Sequence, residues 1–540
     1  MAQMTGARAV TATLGSEGIK HVFGIVGTHN TPLYDALIDE PSIRPITVRH
    51  EQGAAMMAAG YARASGQIAA CFVVPGPGLT NALTGMGMAY SESAPMIVIA
   101  GQNNYDQLER EGGHFHELNH SLQVASSVCA YTARVASPDA VPQTVREALR
   151  SIRSQRPRPV FIEMPLDVQS GEADVTIFPP ELLARPSGDP NSILRAIETL
   201  KSAKRPFIYA GGGVESADAT RELATLAEAL GAPVVSNVFG RGAISDRHPL
   251  AMGDGWGRLN LYDDFLREAD LAIVVGSRLD VVSDVNTGAG FPERQIQIDI
   301  DPLVLGQRRP TDLGIVGDAR SILSAIASGI SESARPCWFD VEKFREGKRR
   351  FLEQRCPAAM KVIDDLRAVL PDNAIVVDDL TLIGYWMPVV LDTYLPRTLI
   401  HPGTYGTLGY SLPAAIGAKI ACPDQPVISI SGDGGFLFTL QELSTARAEN
   451  LDLISIVFND NAFGAINTFQ DRVFGNRHIG SELVNPDFVK LGAAFGANSV
   501  RIGADELGTT VRQALTEGGL WLIEVPFTPA DGSRLVPWMP

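Results

Sequence analysis

Residues 427–461 read VISISGDGGFLFTLQELSTARAENLDLISIVFNDN, and this stretch decides the fold. Val427–Ser431 is a short run, mostly β-branched and apolar, closed by Gly432-Asp433-Gly434-Gly435. Such a run between turn residues predicts a buried strand. Phe438–Glu449 has helical spacing, and Leu453–Phe458 predicts a second strand, which ends in Asn459-Asp460-Asn461. Strand, helix, strand is the signature of α/β architecture, and in open parallel sheets ligands sit outside the carboxyl ends of the strands. Two sets of short oxygen-bearing side chains therefore fall at neighbouring strand ends. The glycines let the backbone approach a phosphate, and the following helix turns its N-terminal N–H groups toward it. Asp433 alone would repel that phosphate. A hard divalent cation between them removes the conflict, because Mg²⁺ takes a few protein oxygens together with phosphate oxygens.

The spacing carries more than each motif alone. GDG, with 27 residues from Asp433 to Asp460 and strand–helix–strand between, resembles the thiamine-diphosphate signature of the decarboxylase and acetolactate-synthase superfamily. The resemblance implies thiamine diphosphate and Mg²⁺ as cofactors. It implies the side chains of Asp433 and Asp460 and the carbonyl of Ala462 as metal ligands. Gly432, Gly434, Gly435, Phe463, Gly464 and Ile466 would then border the cofactor. The commonest family pattern has Asn at position 460; Asp keeps the oxygen ligand and adds a charge. Asn459 lies one residue out of register. Gly406-Thr407-Leu408-Gly409-Tyr410-Ser411-Leu412-Pro413-Ala414 resembles the family's GTMGxGLPAA. By that match the Gly406 carbonyl receives the cofactor's amino group. Leu408 is then the apolar wedge that bends the cofactor and brings its reacting atoms together.

Thiamine chemistry needs a carboxyl to relay a proton to the aminopyrimidine ring. Val48-Arg49-His50-Glu51-Gln52-Gly53-Ala54 offers one, between the run Pro45–Val48 and the helix-forming stretch Gln52–Ala64. A carboxylate at a helix start is also favoured by the helix dipole alone. The segment RHEQGA…AAGYAR resembles the family's glutamate segment, which implies Glu51 as the relay. Pro75-Gly76-Pro77-Gly78-Leu79-Thr80-Asn81 resembles the SGPGxTN loop, placing Pro75 and Asn81 near the cofactor.

The chain has 540 residues, too many for one core at roughly 150 residues per domain. The first segment, 1–170, has strand candidates His21–Gly27, Ala69–Val74, Met96–Ala100 and Pro159–Glu163, with helices at Gln52–Ala64 and Thr80–Ser91. Residues 171–189 are rich in Pro, Gly and acids and read as a linker. The second segment, 190–335, has strands at Pro206–Ala210, Pro233–Ser236, Leu271–Val275 and Gln295–Ile300. Residues 331–355 are charged and connect. The third, 356–540, opens with a helix and adds strands Ala374–Val377 and Trp521–Val525 to the pair already named. Expected is an α/β protein of three open, mostly parallel sheets. By the resemblance these are a pyrimidine-binding, a middle Rossmann-like and a diphosphate-binding domain, with matches running from Phe23-Gly24 to Val536-Pro537.

A formal charge of −16 argues against nucleic-acid or anionic-membrane partners, which need a basic surface. The five cysteines are scattered and lack CxxC spacing, so reduced thiols and a cytoplasmic setting are expected, with no zinc site. Neither a signal peptide nor an apolar run near the ~20 residues of a bilayer helix is visible. The family places the first domain of one subunit against the third of its partner, implying a homodimer or homotetramer.

The substrate pocket follows from matched positions. His29 and Asn30 follow the first strand, Val74 ends the second, and Phe115-His116-Glu117 align with the AFQE segment of acetolactate synthases. Ile466 and Asn467 would line the reacting centre. His29 and His116 are candidate proton donors or oxyanion partners near neutral pH, and His114 is a weaker one. The implied activity makes or breaks a carbon–carbon bond next to a carbonyl, on 2-oxo acids, 2-hydroxy ketones or aldehydes. Two departures point away from the anabolic branched-chain synthases. Leu166 stands where they carry Lys, and Gly276-Ser277-Arg278-Leu279-Asp280-Val281-Val282 lacks their arginine. Gly211-Gly212-Gly213 resembles the middle domain's FAD region. FAD is a lesser expectation, with a flavin-dependent oxidase or a non-catalytic cofactor-binding homologue as rival readings.

Overall fold

The computed structural model describes residues 2–255, 261–279, 290–330 and 334–530. Positions 280–282 and Val536-Pro537, used in the sequence comparison, lie outside them.

Three six-stranded sheets form, with every pairing inside them parallel. Edge to edge, the first runs Arg44–Thr47, His21–Gly24, Ala69–Val73, Met96–Gln102, Val160–Pro165, Tyr131–Arg134. The third runs Leu399–Ile400, Ile375–Asp378, Val427–Gly432, Leu453–Asn459, Leu520–Pro526, Asn498–Arg501. Counting strands along the chain, both have the order 2-1-3-4-6-5. The middle sheet differs. Its strands Pro206–Ala210, Val234–Ser236, Ala251–Asp254, Leu271–Val275, Gln295–Asp299 and Leu313–Val316 take the order 3-2-1-4-5-6, that of dinucleotide-binding folds. Each order reverses between two strands, and the crevice at that reversal is where such sheets take ligands.

The strands expected from sequence are all present, the first of them shorter: the chain leaves the sheet after Gly24, not Gly27. The edge strands Arg44–Thr47, Tyr131–Arg134, Leu399–Ile400 and Asn498–Arg501 were not expected as such. They are two to four residues long, too short for a period to show. The expected linker 171–189 begins with a strand, Glu172–Val175, which pairs antiparallel with Ala2–Thr5. Its partner lies at the other end of the domain, so no local signal marks it. The expected helix Phe438–Glu449 is a short turn at Leu440–Glu442 followed by Leu443–Ala448, and a helical turn already starts at Asp433. The charged stretch 331–355 contains the helix Val341–Arg355. Among the described residues no helix is long and apolar enough to cross a membrane.

The first and third domains share one core. Helix Glu51–Ser65 is Ala-, Gly- and Met-rich and buried almost all round, which explains why it shows no polar face. It packs against helix Ser411–Ala421, and residues of both domains form a single apolar cluster. The contact is backbone-close: a Cβ on Gly60 would fall 2.0 Å from the Ala414 carbonyl oxygen, and one on Gly417 would fall 1.9 Å from that of Met57. Only glycine allows two helices to meet this way. The middle domain buries its own clusters.

Candidate active site

Asp433 follows the strand Val427–Gly432 and starts a helical turn, so its side chain stands at the sheet's carboxyl edge. It is 2% exposed. Its Oδ2 accepts from Asn485 Nδ2 at 2.6 Å, and the Gly434, Asn461 and Ala462 N–H groups also point at its carboxylate. Burial pushes this carboxyl up, and those donors pull it back. Asn485 Nδ2 also donates to Asn459 Oδ1 (3.0 Å) and Asn461 Oδ1 (3.3 Å), gathering one carboxylate and two amide oxygens around one point. Asn485 Oδ1 is buried with no hydrogen-bond partner among the described residues. Asp460 lies on the adjacent strand's exit, its Oδ2 close against Gly464, where a Cβ would approach to 2.3 Å. Backbone bonds from Leu483 to Asn461 and from Phe463 to Ser481 lace the loop shut.

The donor set is carboxylate, amide and carbonyl oxygen. Among the described residues no three His, Cys, Asp or Glu side chains converge. Hard oxygens beside a helix start and a glycine cradle suit a divalent cation holding a diphosphate. The residues fit the group the sequence implies.

Gly406 and Leu408 lie on the loop between the strand Leu399–Ile400 and helix Ser411–Ala421. Gly406 is exposed and Leu408 half-buried, so both face outward from the core. Asp379, fully buried, accepts from the N–H groups of Gly409 (2.9 Å) and Ser411 (3.5 Å). Burial pushes Asp379 up to about 7 against these bonds. Gly409 has φ +81°, and a Cβ there would strike Phe438 at 2.6 Å, so this turn requires glycine.

Glu51 opens helix Glu51–Ser65 and is 8% exposed. Its Oε2 accepts from Asn81 Nδ2 at 3.0 Å, and Gly78 lies beside its Oε1. Two motifs 30 residues apart thus meet. Pro75 and Val74 border the same loop, with Val74 packed on Gly27 and Gly78. Beneath lies Glu442 of the third domain, which accepts from the Arg49 N–H at 3.2 Å and from Thr445 Oγ1 at 2.7 Å. The Glu51 contacts are with first-domain residues and the Asp433 contacts with third-domain residues.

Burial pushes the Glu442 carboxyl up to about 6 from its usual 4.5, against the pull of Thr445 and the Arg49 and His50 N–H groups. A carboxyl raised on folding is favoured protonated, so its contribution is fully present below 4.5 and is lost as pH rises through about 6. Glu442→Gln cannot ionise. Chemical denaturation at pH 4.5 and pH 7 is expected to show wild type losing about 2 kcal/mol relative to this variant across that window. A constant difference would refute the shift.

His29 is buried, and its Nε2 lies 3.0 Å from Asn103 Oδ1; Asn103 Nδ2 donates to the Phe115 carbonyl at 3.2 Å. Burial lowers the His29 pKa, with Asn103 opposing. The His29 ring stands 5.3 Å from His116 and 6.0 Å from Phe115, and Phe115 stacks on His116 at 3.9 Å. These three residues come together at the first sheet's carboxyl edge. Asn30 does not join them: its Oδ1 accepts from the Gly27 N–H and its Nδ2 donates to the Ile25 carbonyl, which shapes the turn. Asn467 is buried and Ile466 half-exposed on helix Gly464–Phe474. His114 sits in a loop whose N–H groups are collected by Glu117.

Asn485, Asp379, Glu442 and Asn103 escaped the sequence reading. Asp378-Asp379 after a strand carried the same strand-end signal as Asp433 and could have been found by it. The other three act through contacts distant in sequence.

Between the first and middle domains a cavity of about 1000 Å³ opens at the reversal of the middle sheet's strand order. Gly212, Gly213, Asn237, Ser277, Arg278 and Arg156 line it.

Three parallel α/β sheets, with a buried carboxylate and a glycine turn at a strand end, are the frame in which comparison with known proteins places a thiamine pyrophosphate enzyme. The chain matches "Thiamine pyrophosphate enzyme, N-terminal TPP binding domain" over residues 4–124, the "central domain" over 193–326 and the "C-terminal TPP binding domain" over 379–525. It belongs to the thiamine pyrophosphate enzyme family, in its acetolactate synthase and decarboxylase group. It is 35% identical to a probable 2-ketoarginine decarboxylase of Pseudomonas aeruginosa, over 97% of this chain and 94% of that one. It is 33% identical to a probable acetolactate synthase large subunit of Methanocaldococcus jannaschii (99% and 94%). Identity is 32% to the acetolactate synthase isozyme 3 large subunit of Escherichia coli (96% and 93%).

Proposed function

We propose that this enzyme is a Mg²⁺-dependent lyase, decarboxylase or carboligase acting on 2-oxo acids, 2-hydroxy ketones or aldehydes. The observation that carries the reading is the buried Asp433 carboxylate at a strand end, gathered through Asn485 with the Asn459 and Asn461 amide oxygens of the adjoining strand's exit and bonded to amides alone in the contacts described above. Thiamine diphosphate, when bound, supplies an electron sink for the bond next to the carbonyl. Asp433, Asp460 and the Ala462 carbonyl hold the cation and through it the diphosphate. Gly406 orients the pyrimidine end, and Leu408 limits the space behind it. Glu51 holds and moves a proton at its carboxyl, kept in place by Asn81 and sheltered from water. His29 and His116, with Phe115, shape the approach to the substrate carbonyl and are placed to trade a proton there.

Leu166 favours substrates other than those of the branched-chain synthases, and the similarity to a probable 2-ketoarginine decarboxylase supports another 2-oxo acid. Helix Gly464–Phe474 leaves Ile466, Phe469, Val473 and Phe474 about half exposed, a stripe at helical spacing. Such a stripe beside the cation loop supports a homodimer or homotetramer in which a second subunit brings its Glu51 to this Asp433.

The test is incubation of the Mg²⁺/thiamine diphosphate-loaded protein with a panel of 2-oxo acids, 2-hydroxy ketones and aldehydes, with products read by mass. Turnover that needs no cofactor, or conversion of none of these classes, rejects the reading. Leu408→Ala is expected to lower kcat by roughly 10–100-fold while cofactor affinity changes only a few-fold, since a wedge acts on geometry. Unchanged kcat would remove that role.

The cavity between the first and middle domains favours a second reading, a flavin-dependent oxidase. Its glycine turn and the Arg156 and Arg278 guanidiniums suit a diphosphate nucleotide such as FAD. A purified protein with a flavin absorption spectrum supports it, and a colourless one refutes it.

A further inference from the structure

The wedge loop is gripped from outside its own domain. Helix Pro77–Glu92 of the first domain ends against it. Glu92, whose side chain has no exposure, accepts at Oε1 from the Gly403 N–H (2.8 Å) and at Oε2 from Arg63 Nη1 (2.9 Å) and Tyr410 Oη (3.4 Å). One carboxylate thus bonds residues at both ends of the stretch 403–410. Arg63 Nη1 also donates to the His401 carbonyl at 2.6 Å, just upstream. One residue back along the helix, Ser91 and Thr404 pair their hydroxyls at 2.8 Å, and a turn further back the Tyr405 ring lies so close to Gly87 that a Cβ would meet it at 2.5 Å. From the third domain Asp379 holds Gly409 and Ser411. Between these two grips only the span 404–408 reaches toward solvent, and it carries Gly406 and Leu408.

A buried carboxylate–guanidinium pair costs several kcal/mol to desolvate and is a poor source of stability in itself. What it does supply is direction. Each of its bonds to the loop fixes an atom of known position relative to the helix, and from the first domain the pair reaches third-domain residues where helices of the two domains already meet through glycine.

We propose that Arg63 and Glu92 are positioning residues for the third domain's cofactor loop, setting the height of Leu408 and the aim of the Gly406 carbonyl. The inference rests on the thiamine diphosphate reading above. It assigns a positioning role to residues outside the thiamine diphosphate site, both of which also line the cavity beside the middle domain.

The experiment compares wild type with Glu92→Gln, Arg63→Met and the double variant, all with Mg²⁺. Four quantities are read: cofactor dissociation constant, kcat at saturating cofactor, near-ultraviolet circular dichroism of the bound cofactor, and amide exchange of 403–410. Each single variant is expected to raise the dissociation constant and lower saturated kcat, each about tenfold. Substrate KM should hold, the bound-cofactor dichroism should change, and exchange should quicken in 403–410 but not in helix Ser411–Ala421. The double variant should be no worse than the worse single, because both act on one loop. If saturating cofactor restores wild-type kcat and dichroism, the pair is merely structural and the inference fails. Should the buried substitutions prevent folding, Ser91→Ala with Thr404→Ala removes the outer grip and is judged by the same readings. Wild type that binds no thiamine diphosphate overturns the functional reading and this inference together; wild type that binds it, with variants indistinguishable from wild type, overturns this inference alone.

Discussion

Glu51→Gln is expected to bind thiamine diphosphate nearly as well as wild type and to lose turnover by roughly 10²–10⁴-fold, the range of a general acid–base group. The side chain is 8% exposed and bonded to Asn81 Nδ2 at 3.0 Å. The amide carbonyl of glutamine can still accept that bond, so the fold should stand. Loss of the favourable charge at the helix start costs only about 0.3–1 kcal/mol. What the amide cannot do is gain and lose a proton near neutral pH. Cofactor titration by fluorescence, beside steady-state turnover, separates the two effects. Near-normal turnover would sink the relay role.

Asp433→Ala should have the other large effect, on cofactor retention itself. Cofactor affinity is expected to fall by at least about 100-fold and to lose its dependence on Mg²⁺, as for removal of a hydrogen-bonded charge at a buried site (about 3–5 kcal/mol). The substitution also removes the acceptor of three N–H groups, at about 1–3 kcal/mol of stability, while Asn485 keeps Asn459 and Asn461. Asp433→Asn controls for that, because it keeps the shape and one acceptor while removing the charge. Calorimetric titration of cofactor across a Mg²⁺ series checks both variants. Affinity that still follows Mg²⁺ in Asp433→Ala would remove this residue from the cation site.

Much of the fold was legible because a central strand of a parallel sheet is an apolar run closed by turn residues. Val427–Gly432, Leu453–Asn459, Met96–Gln102 and Leu271–Val275 all read that way. Edge strands did not. Tyr131–Arg134 is only half-buried, and Leu399–Ile400 has two residues. Nor could the sequence say that the middle sheet takes a different strand order from its neighbours, since the order depends on which side of the first strand each later one docks.

The site divides in the same manner. Glu51, Asp433, Asp460 and Leu408 stand in local motifs, each one helix or strand end, and their chemistry is a property of a few consecutive residues. Asn485 reaches Asp433 across 52 positions, Glu442 reaches Arg49 across 393, and Glu92 reaches Gly403 across 311. No spacing announces such pairs. The sequence by itself determined the three-sheet α/β architecture, because short-range patterning dictates strands and turns, and its resemblance to the thiamine-diphosphate enzymes carried the cofactor class. Only the tertiary structure decided which carboxylates hold the strand-end groups still, because that depends on two helices meeting at Gly60 and Gly417, and close packing between distant segments leaves no periodic trace in the chain.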